Sequence, residues 1–224
     1  MTRARLLRIV VVAVSSTLAW RCGGDGGGGG TPSGPSNAAP TASFTMSPGG
    51  AAVASATVLT FTASGSDPNG DPVSFAWQFG DGQTGSGQTV THSFASAGAF
   101  NVVLTATDGK GGSTSANNTV TVKSLTGTWV DADPRVRFEL NQSGANLSGS
   151  REANPGSGFI TSAALNGNVS NPRLIAITIH FRAQGTSSDC RYEGTLDDQA
   201  DGFHVDRIAT GIFCGQTSYT VRRQ

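Results

Sequence analysis

The residues able to do chemistry are few and scattered. His92, His180 and His204 are the histidines, and no Ser, His and Asp fall at the spacing of a nucleophile elbow. No two carboxylates sit in a recognisable acid/base motif. His180 lies on a run whose isoleucines (Ile175, Ile177, Ile179) face the other way, and His204 lies between Phe203 and Val205 in the same manner. Alternation therefore turns both imidazoles away from a core. Asp67, Asn69 and Asp71 offer oxygen ligands at alternate positions, which suits a hard cation such as calcium. They suit an Asx-rich turn equally well, since Asp and Asn bond their own backbone. No other cofactor is implied.

The cysteines, Cys22, Cys190 and Cys214, are read through the amino terminus. Residues 1–21 have the pattern of a signal peptide: a basic start with Arg3, Arg5 and Arg8, then an apolar stretch from Leu6 to Ala19 that is too short to span a membrane. Cys22 follows, then a run of glycines. This start resembles that of bacterial lipoproteins, in which the cysteine takes lipid and the glycines act as a tether. Arg21 and Ala19 occupy the places where a lipobox has a small and an apolar residue. The alternative is cleavage after Ala19 and release. With Cys22 lipidated, an even pair remains in an oxidising setting, so Cys190 and Cys214 are expected to form a disulfide.

Residues 22–38 are Gly, Ser and Pro-rich and hold no core residues, as expected of a flexible tether. Without the four arginines of residues 1–21, 11 basic residues face 15 acidic ones. That mildly acidic balance, with no basic stripe, argues against nucleic-acid binding.

Two all-β domains must hold these residues. Over 39–124, strand patterns alternate with turn signals: 41–47, 57–64, 73–79, 89–94, 99–108 and 113–122. Val73, Phe75, Trp77 and Phe79 share one face, and Gly80-Asp81-Gly82 forces a turn after them. Trp77-Gln78-Phe79-Gly80-Asp81-Gly82, then His92-Ser93-Phe94, then Gly98-Ala99-Phe100-Asn101-Val102-Val103-Leu104 resembles the PKD domain. The resemblance implies an Ig-like β-sandwich that mediates protein or carbohydrate contact or acts as a spacer, with no catalytic residues. It implies calcium near the 67–71 loop in some members, and it makes His92 a packed structural residue.

Over 125–224 the composition shifts to nine Arg and ten acidic residues with no Lys. Eight short strand patterns follow one another: 126–130, 135–142, 147–150, 164–169, 174–183, 189–196, 202–208 and 212–222. Such a meander closes most simply as a small antiparallel up-and-down barrel of about eight strands. Val136, Phe138 and Leu140 point inward; Arg135, Arg137 and Glu139 point outward as a solvated or partner-binding face. Leu125-Thr126-Gly127-Thr128-Trp129 resembles the starts of lipocalin-like and avidin-like barrels, where a Gly-x-Trp plugs the barrel floor. Trp129 is the one tryptophan of this half, whereas avidin-like barrels hold biotin with several.

These features describe a non-enzymatic protein of the bacterial cell envelope. It is anchored in the membrane by lipid, at the outer membrane on its periplasmic or surface face, or else secreted. Its expected work is contact with a surface protein or carbohydrate, or spacing. Two other roles fit the same residues: a carrier of a small apolar ligand in a cavity lined by Phe138, Ile177, Ile179 and Tyr192, and an accessory to polysaccharide-degrading enzymes.

Overall fold

A computed structural model describes residues 36–153, 161–170, 173–183, 186–209, 214 and 216–224. The signal peptide, Cys22 and nearly all of the tether lie outside the described residues. The described chain contains strands and turns and no helix, and it divides into two compact units, one built mainly on a sandwich and the other on a barrel.

Eight strands make the sandwich: β1 Ser43–Ser47, β2 Ala52–Val53, β3 Leu59–Ser64, β4 Ser74–Gln78, β5 Thr84–Ser86, β6 Thr89–His92, β7 Gly98–Thr107 and β8 Ser113–Lys123. One sheet has the order β1-β3-β6 and the other β2-β8-β7-β4-β5. The short strands β2 and β5 carry too few residues for an alternation to be seen in the sequence. β2 runs parallel to β8, and β5 is the far arm of the hairpin that Gly80-Asp81-Gly82 begins.

Period-2 alternation sends Phe61 and Ala63 of β3, Trp77 of β4 and Val102, Leu104 and Ala106 of β7 into the core, each at most 1% exposed. Trp77 is the centre of an aromatic cluster. Its ring lies edge-on to Phe44 at 5.2 Å and tilted to Phe61 at 5.8 Å, and Phe79 stacks beyond it at 6.5 Å. The buried indole N–H needs an acceptor, and it donates to the Gly87 carbonyl at 2.9 Å. The turn that follows is fixed by backbone sterics. Gly80 has φ +82°, and a Cβ there would stand 2.7 Å from the Asn101 carbonyl oxygen. Phe75 on the same face is only half-buried.

The second half forms a closed barrel of eight antiparallel strands: β9 Gly127–Asp131, β10 Val136–Ser143, β11 Asn146–Ala153, β12 Thr161–Ser170, β13 Leu174–Ala183, β14 Thr186–Leu196, β15 Gly202–Ala209 and β16 Ser218–Arg223. Each strand pairs with the next, and β16 returns to β9. The expected meander and its closure are both present. β16 is shorter than the expected 212–222. Cys214 stands ahead of it and is joined to Cys190 of β14 by a disulfide, 24 residues apart in sequence. At Gly194 of β14 a Cβ would fall 1.8 Å from the His204 carbonyl oxygen, so this strand crossing requires glycine.

Side chains fill the barrel. Trp129, Phe138, Ile177, Ile179, Tyr192, Phe203, Val205, Tyr219 and Val221 are each at most 3% exposed and belong to one cluster. Trp129 lies against Phe203 at 5.3 Å, donates its Nε1–H to the Leu125 carbonyl at 2.9 Å and is covered by the Arg223 guanidinium at 5.1 Å. That is the plug arrangement the Gly-x-Trp start implied.

Replacing Trp77 by Ala is expected to destabilise the sandwich by about 3–5 kcal/mol, because it removes a large buried ring and orphans the Gly87 carbonyl; denaturant unfolding of the full chain measures this. Reduction of the Cys190–Cys214 bond is expected to lower the stability of the barrel by about 3 kcal/mol, as loss of the cross-link frees the unfolded chain. A thermal scan with and without a reductant, in which the Trp77 fluorescence transition stays in place while the barrel transition falls, checks it.

Candidate functional site

The 67–71 loop is built by its first aspartate. Asp67 Oδ1 accepts the N–H of Asn69 at 2.8 Å and of Asp71 at 3.2 Å. The same two-and-four spacing recurs at two other turns. Asp108 Oδ1 accepts the N–H of Lys110 at 2.7 Å and of Gly112 at 3.0 Å. Asp197 Oδ1 accepts the N–H of Gln199 at 3.1 Å and of Asp201 at 3.0 Å. Among the described residues, the 67–71 loop is thus one of three turns in which an aspartate accepts the backbone N–H groups two and four residues on.

As a calcium cage the three residues do not fit. Asp67 Oδ2 is buried and without a partner, which leaves one acceptor over. Asn69 Oδ1, however, accepts the Ala38 N–H at 2.7 Å, and Asp71 Oδ1 stands 3.4 Å from the Lys110 ammonium. Two of the three candidate ligands are therefore turned to other partners, one of them a cation. Among the described residues no group of three or more His, Cys, Asp or Glu is placed to hold a metal.

The histidines are each placed by their strands. His92 closes β6, is buried at 8% exposure, and presents its ring edge-on to Phe94 at 4.7 Å; Phe94 stacks on Phe100 at 4.5 Å. His180 pairs across β13–β14 with Asp189, Nδ1 to Oδ1 at 2.7 Å, on the outer side of the barrel. His204 lies exposed on β15, with Nδ1 2.7 Å from Thr220 Oγ1 and Nε2 3.3 Å from Asp206. Among the described residues the three histidines are not gathered into one cluster.

The outer face of β10 holds Arg137 and Glu139, both half-buried, and Glu139 accepts the Thr128 hydroxyl at 2.8 Å. Arg135 is held by Asp133 through two N–H groups, at 2.9 and 2.8 Å, and this bidentate bond keeps the Asp133 carboxyl below its ordinary range. The interior that a small apolar ligand would need is occupied by Phe138, Ile177, Ile179 and Tyr192 themselves, each at most 1% exposed. Sequence reasoning missed two residues of the barrel interior, Arg151 and Arg207. Both fall on inward positions, Arg151 two strand periods beyond Leu147 and Arg207 one period beyond Val205. Their parity was available in the sequence, but the expected strand 147–150 stops short of Arg151, and Arg207 lies inside the expected strand 202–208 without being singled out.

An Ig-like sandwich whose Trp strand runs into a Gly-Asp-Gly turn defines the class of the first half. Residues 37–123 are a PKD domain, matched as such by the family's model. The chain is 40% identical over 93 residues to a microbial collagenase of Vibrio alginolyticus, covering 41% of this chain and 11% of that protein. It is 38% identical over 86 residues to the pre-pro-metalloprotease PrtV of Vibrio cholerae, covering 38% of this chain and 9% of that protein. The chain thus spans about a tenth of the length of these curated relatives. Among solved structures it is similar to the PKD1 domain of Vibrio anguillarum Epp, at 32% identity and a TM-score of 0.34, covering 40% of this chain and 99% of that one. The PKD fold is a non-catalytic module, and the part of each protease that aligns is small.

Asp108 provides a direct test of the aspartate turns. Its carboxylate accepts two backbone N–H groups and, at Oδ2, the Asn37 amide at 2.7 Å. These bonds, that of the Lys110 N–H first, hold its pKa below the ordinary 3.8. A depressed carboxylate stabilises the fold fully above its unfolded-state value, and the contribution is lost as the pH falls through the lower folded-state value. Asp108→Asn is therefore expected to weaken the sandwich at pH 7 and to flatten its acid unfolding below about pH 4. Urea midpoints measured from pH 2 to pH 7 for both proteins check this; parallel curves would contradict it.

Proposed function

We propose that the chain is a non-catalytic, lipid-anchored protein of the bacterial cell envelope, which holds a contact or spacer module away from the membrane on a flexible tether. The observation that carries this reading is that the groups able to do chemistry are already committed to the fold. Asp67, Asp108 and Asp197 hold turns, His92 packs on Phe94, and His180 and His204 bond outer neighbours. A PKD domain then supplies surface rather than a reactive centre.

The export pattern of residues 1–21 and Cys22 supports the anchor, and the disulfide suits an oxidising compartment. A tether of 17 residues, 22–38, has a mean reach of about 20–25 Å. The relatives that carry a similar region are named as a collagenase and a metalloprotease. Protein fibres and insoluble polysaccharide are accordingly the partners to try, with the module keeping the chain near a polymer that another enzyme degrades.

Mass spectrometry of the protein taken from its native membrane is expected to show acyl glyceride on Cys22 as the first residue. A free amino terminus at Trp20 would contradict the anchor. Sedimentation of the full chain with insoluble collagen and with insoluble polysaccharide reads the contact function, and binding to neither would leave spacing as its role.

A further inference from the structure

Consecutive antiparallel strands bring the end of β11, the end of β13, the start of β14 and the end of β15 to one mouth of the barrel. Several of the inward positions there are polar. β11 turns in Arg151, β14 turns in Ser188 and Tyr192, and β15 turns in Arg207. Arg151 lies over two rings at once, 5.7 Å from the centroid of Phe181 and 5.7 Å from that of Tyr219. Phe181 stands directly across the strand pair from Ser188, and Tyr192 directly across from Arg207. Tyr192 and Tyr219 are 5.0 Å apart, so Arg151, over Tyr219, and Arg207, across from Tyr192, flank one pair of tyrosines. Burial and Tyr219 push the Tyr192 phenol well above its ordinary pKa, and Arg207 and Arg151 pull against them, which places both cations near the same ring.

Neither arginine at this mouth forms an ion pair among the described residues. Arg207 donates from Nη1 to the Cys214 carbonyl, a neutral acceptor. Ion pairs join Arg135 to Asp133, Arg173 to Asp198, Arg191 to Glu193 and Arg222 to Asp197, and none among the described residues joins Arg151 or Arg207 to a carboxylate. Asp133 feels the charge of Arg151 but is held by Arg135. The interior carboxylate, Asp131, accepts the Thr220 N–H at 2.9 Å and the Gln216 amide at 3.0 Å. Four buried side-chain polar atoms lack a partner among the described residues, and two of them, Arg151 Nε and Ser188 Oγ, are here. Ser188 is 7% exposed, so its hydroxyl has no ready access to bulk water.

Arg151 and Arg207 are half-buried, but the Arg151 Nε–H and the Ser188 hydroxyl are buried, and a buried donor without an acceptor is costly unless something supplies one. An oxyanion does so, and the planar guanidinium fork matches the oxygens of carboxylate, sulfate or phosphate. We propose that this mouth binds the oxyanion of a small ligand, a carboxylate, sulfate or phosphate group held by Arg151 and Arg207, with the Ser188 hydroxyl as a third donor and Phe181 and Tyr219 as its wall.

Calorimetric titration of the full chain with galacturonate, sulfate and inorganic phosphate, at constant ionic strength in chloride, tests the site. At least one is expected to bind saturably. Arg151→Gln and Arg207→Gln are each expected to weaken that binding by about 10-fold or more, as loss of a charge-assisted bond does. Arg191→Gln, on the outer side and paired with Glu193, should leave it within about twofold. Ser188→Ala keeps the strand and should weaken binding by about 2- to 10-fold, and it decides the matter if the arginine variants do not fold. No saturable binding by any of the anions, or the same affinity in Ser188→Ala and in the folded arginine variants as in the wild type, overturns the proposal. Which anion binds most tightly identifies the ligand's class.

Discussion

The second half of the chain depends on one seam. β16 meets β9 over three register pairs, Val221 with Asp131, Arg222 with Val130 and Arg223 with Trp129, against ten between β13 and β14. Without this seam the meander is an open sheet with two bare edges. Side chains reinforce it where the backbone pairs run out. Asp131 accepts the Thr220 N–H, the Ala132 N–H reaches the Thr220 carbonyl at 2.9 Å, and Arg223 lies over Trp129 while donating to the Ser124 and Thr126 carbonyls. The residues that close the barrel are thus also those that plug its floor. This coupling gives the weakest strand pair the largest buried ring as its anchor.

The first half meets the same problem of edges by packing two sheets, and Trp77 sets their spacing. An indole between Phe44 and Phe61 fills the layer, and its N–H fixes β4 against the Gly87 backbone. The Gly80 turn then has no freedom, since the Asn101 backbone stands where any other side chain would begin. In both halves a tryptophan N–H spends itself on a carbonyl close in sequence, ten residues away for Trp77 and four for Trp129. Local polar bonds of this kind let a large ring be buried without leaving a donor unmet.

Most of this was legible in the residues because period-2 alternation and turn glycines are local signals. The strands carrying Trp77, Phe138 and Ile175–Ile179 could be read directly, and so could the barrel's strand number. Strands of two or three residues, such as β2 and β5, carry no period and were not visible. The aspartate turns show a different limit. Asp67, Asn69 and Asp71 read equally as ligands or as a turn, because both uses need oxygens at close spacing. What separates them is where each oxygen points, and only the recurrence of one geometry at Asp67, Asp108 and Asp197 makes the turn reading concrete.

Arg151 and Arg207 mark where sequence logic fails for a physical reason. Binary patterning assumes that an inward position is apolar, so the expected strand 147–150 ends before Arg151, and Arg207 within 202–208 passes unnoticed. Here the strands continue with the cations inside, each lying against aromatic faces or a carbonyl rather than a carboxylate. Cation–π contact recovers part of the lost hydration, about 0.5–2 kcal/mol, which is less than the several kcal/mol that burying a guanidinium forfeits. Trp129, Phe138 and Phe203 belong to the same aromatic cluster, with the Arg223 guanidinium over Trp129 and Phe138 directly across the strand pair from Arg151. What sets the two arginines apart is the use of their donors: Arg223 gives its N–H to the Ser124 and Thr126 carbonyls, whereas Arg151 Nε has no partner among the described residues, and neither has Ser188 Oγ.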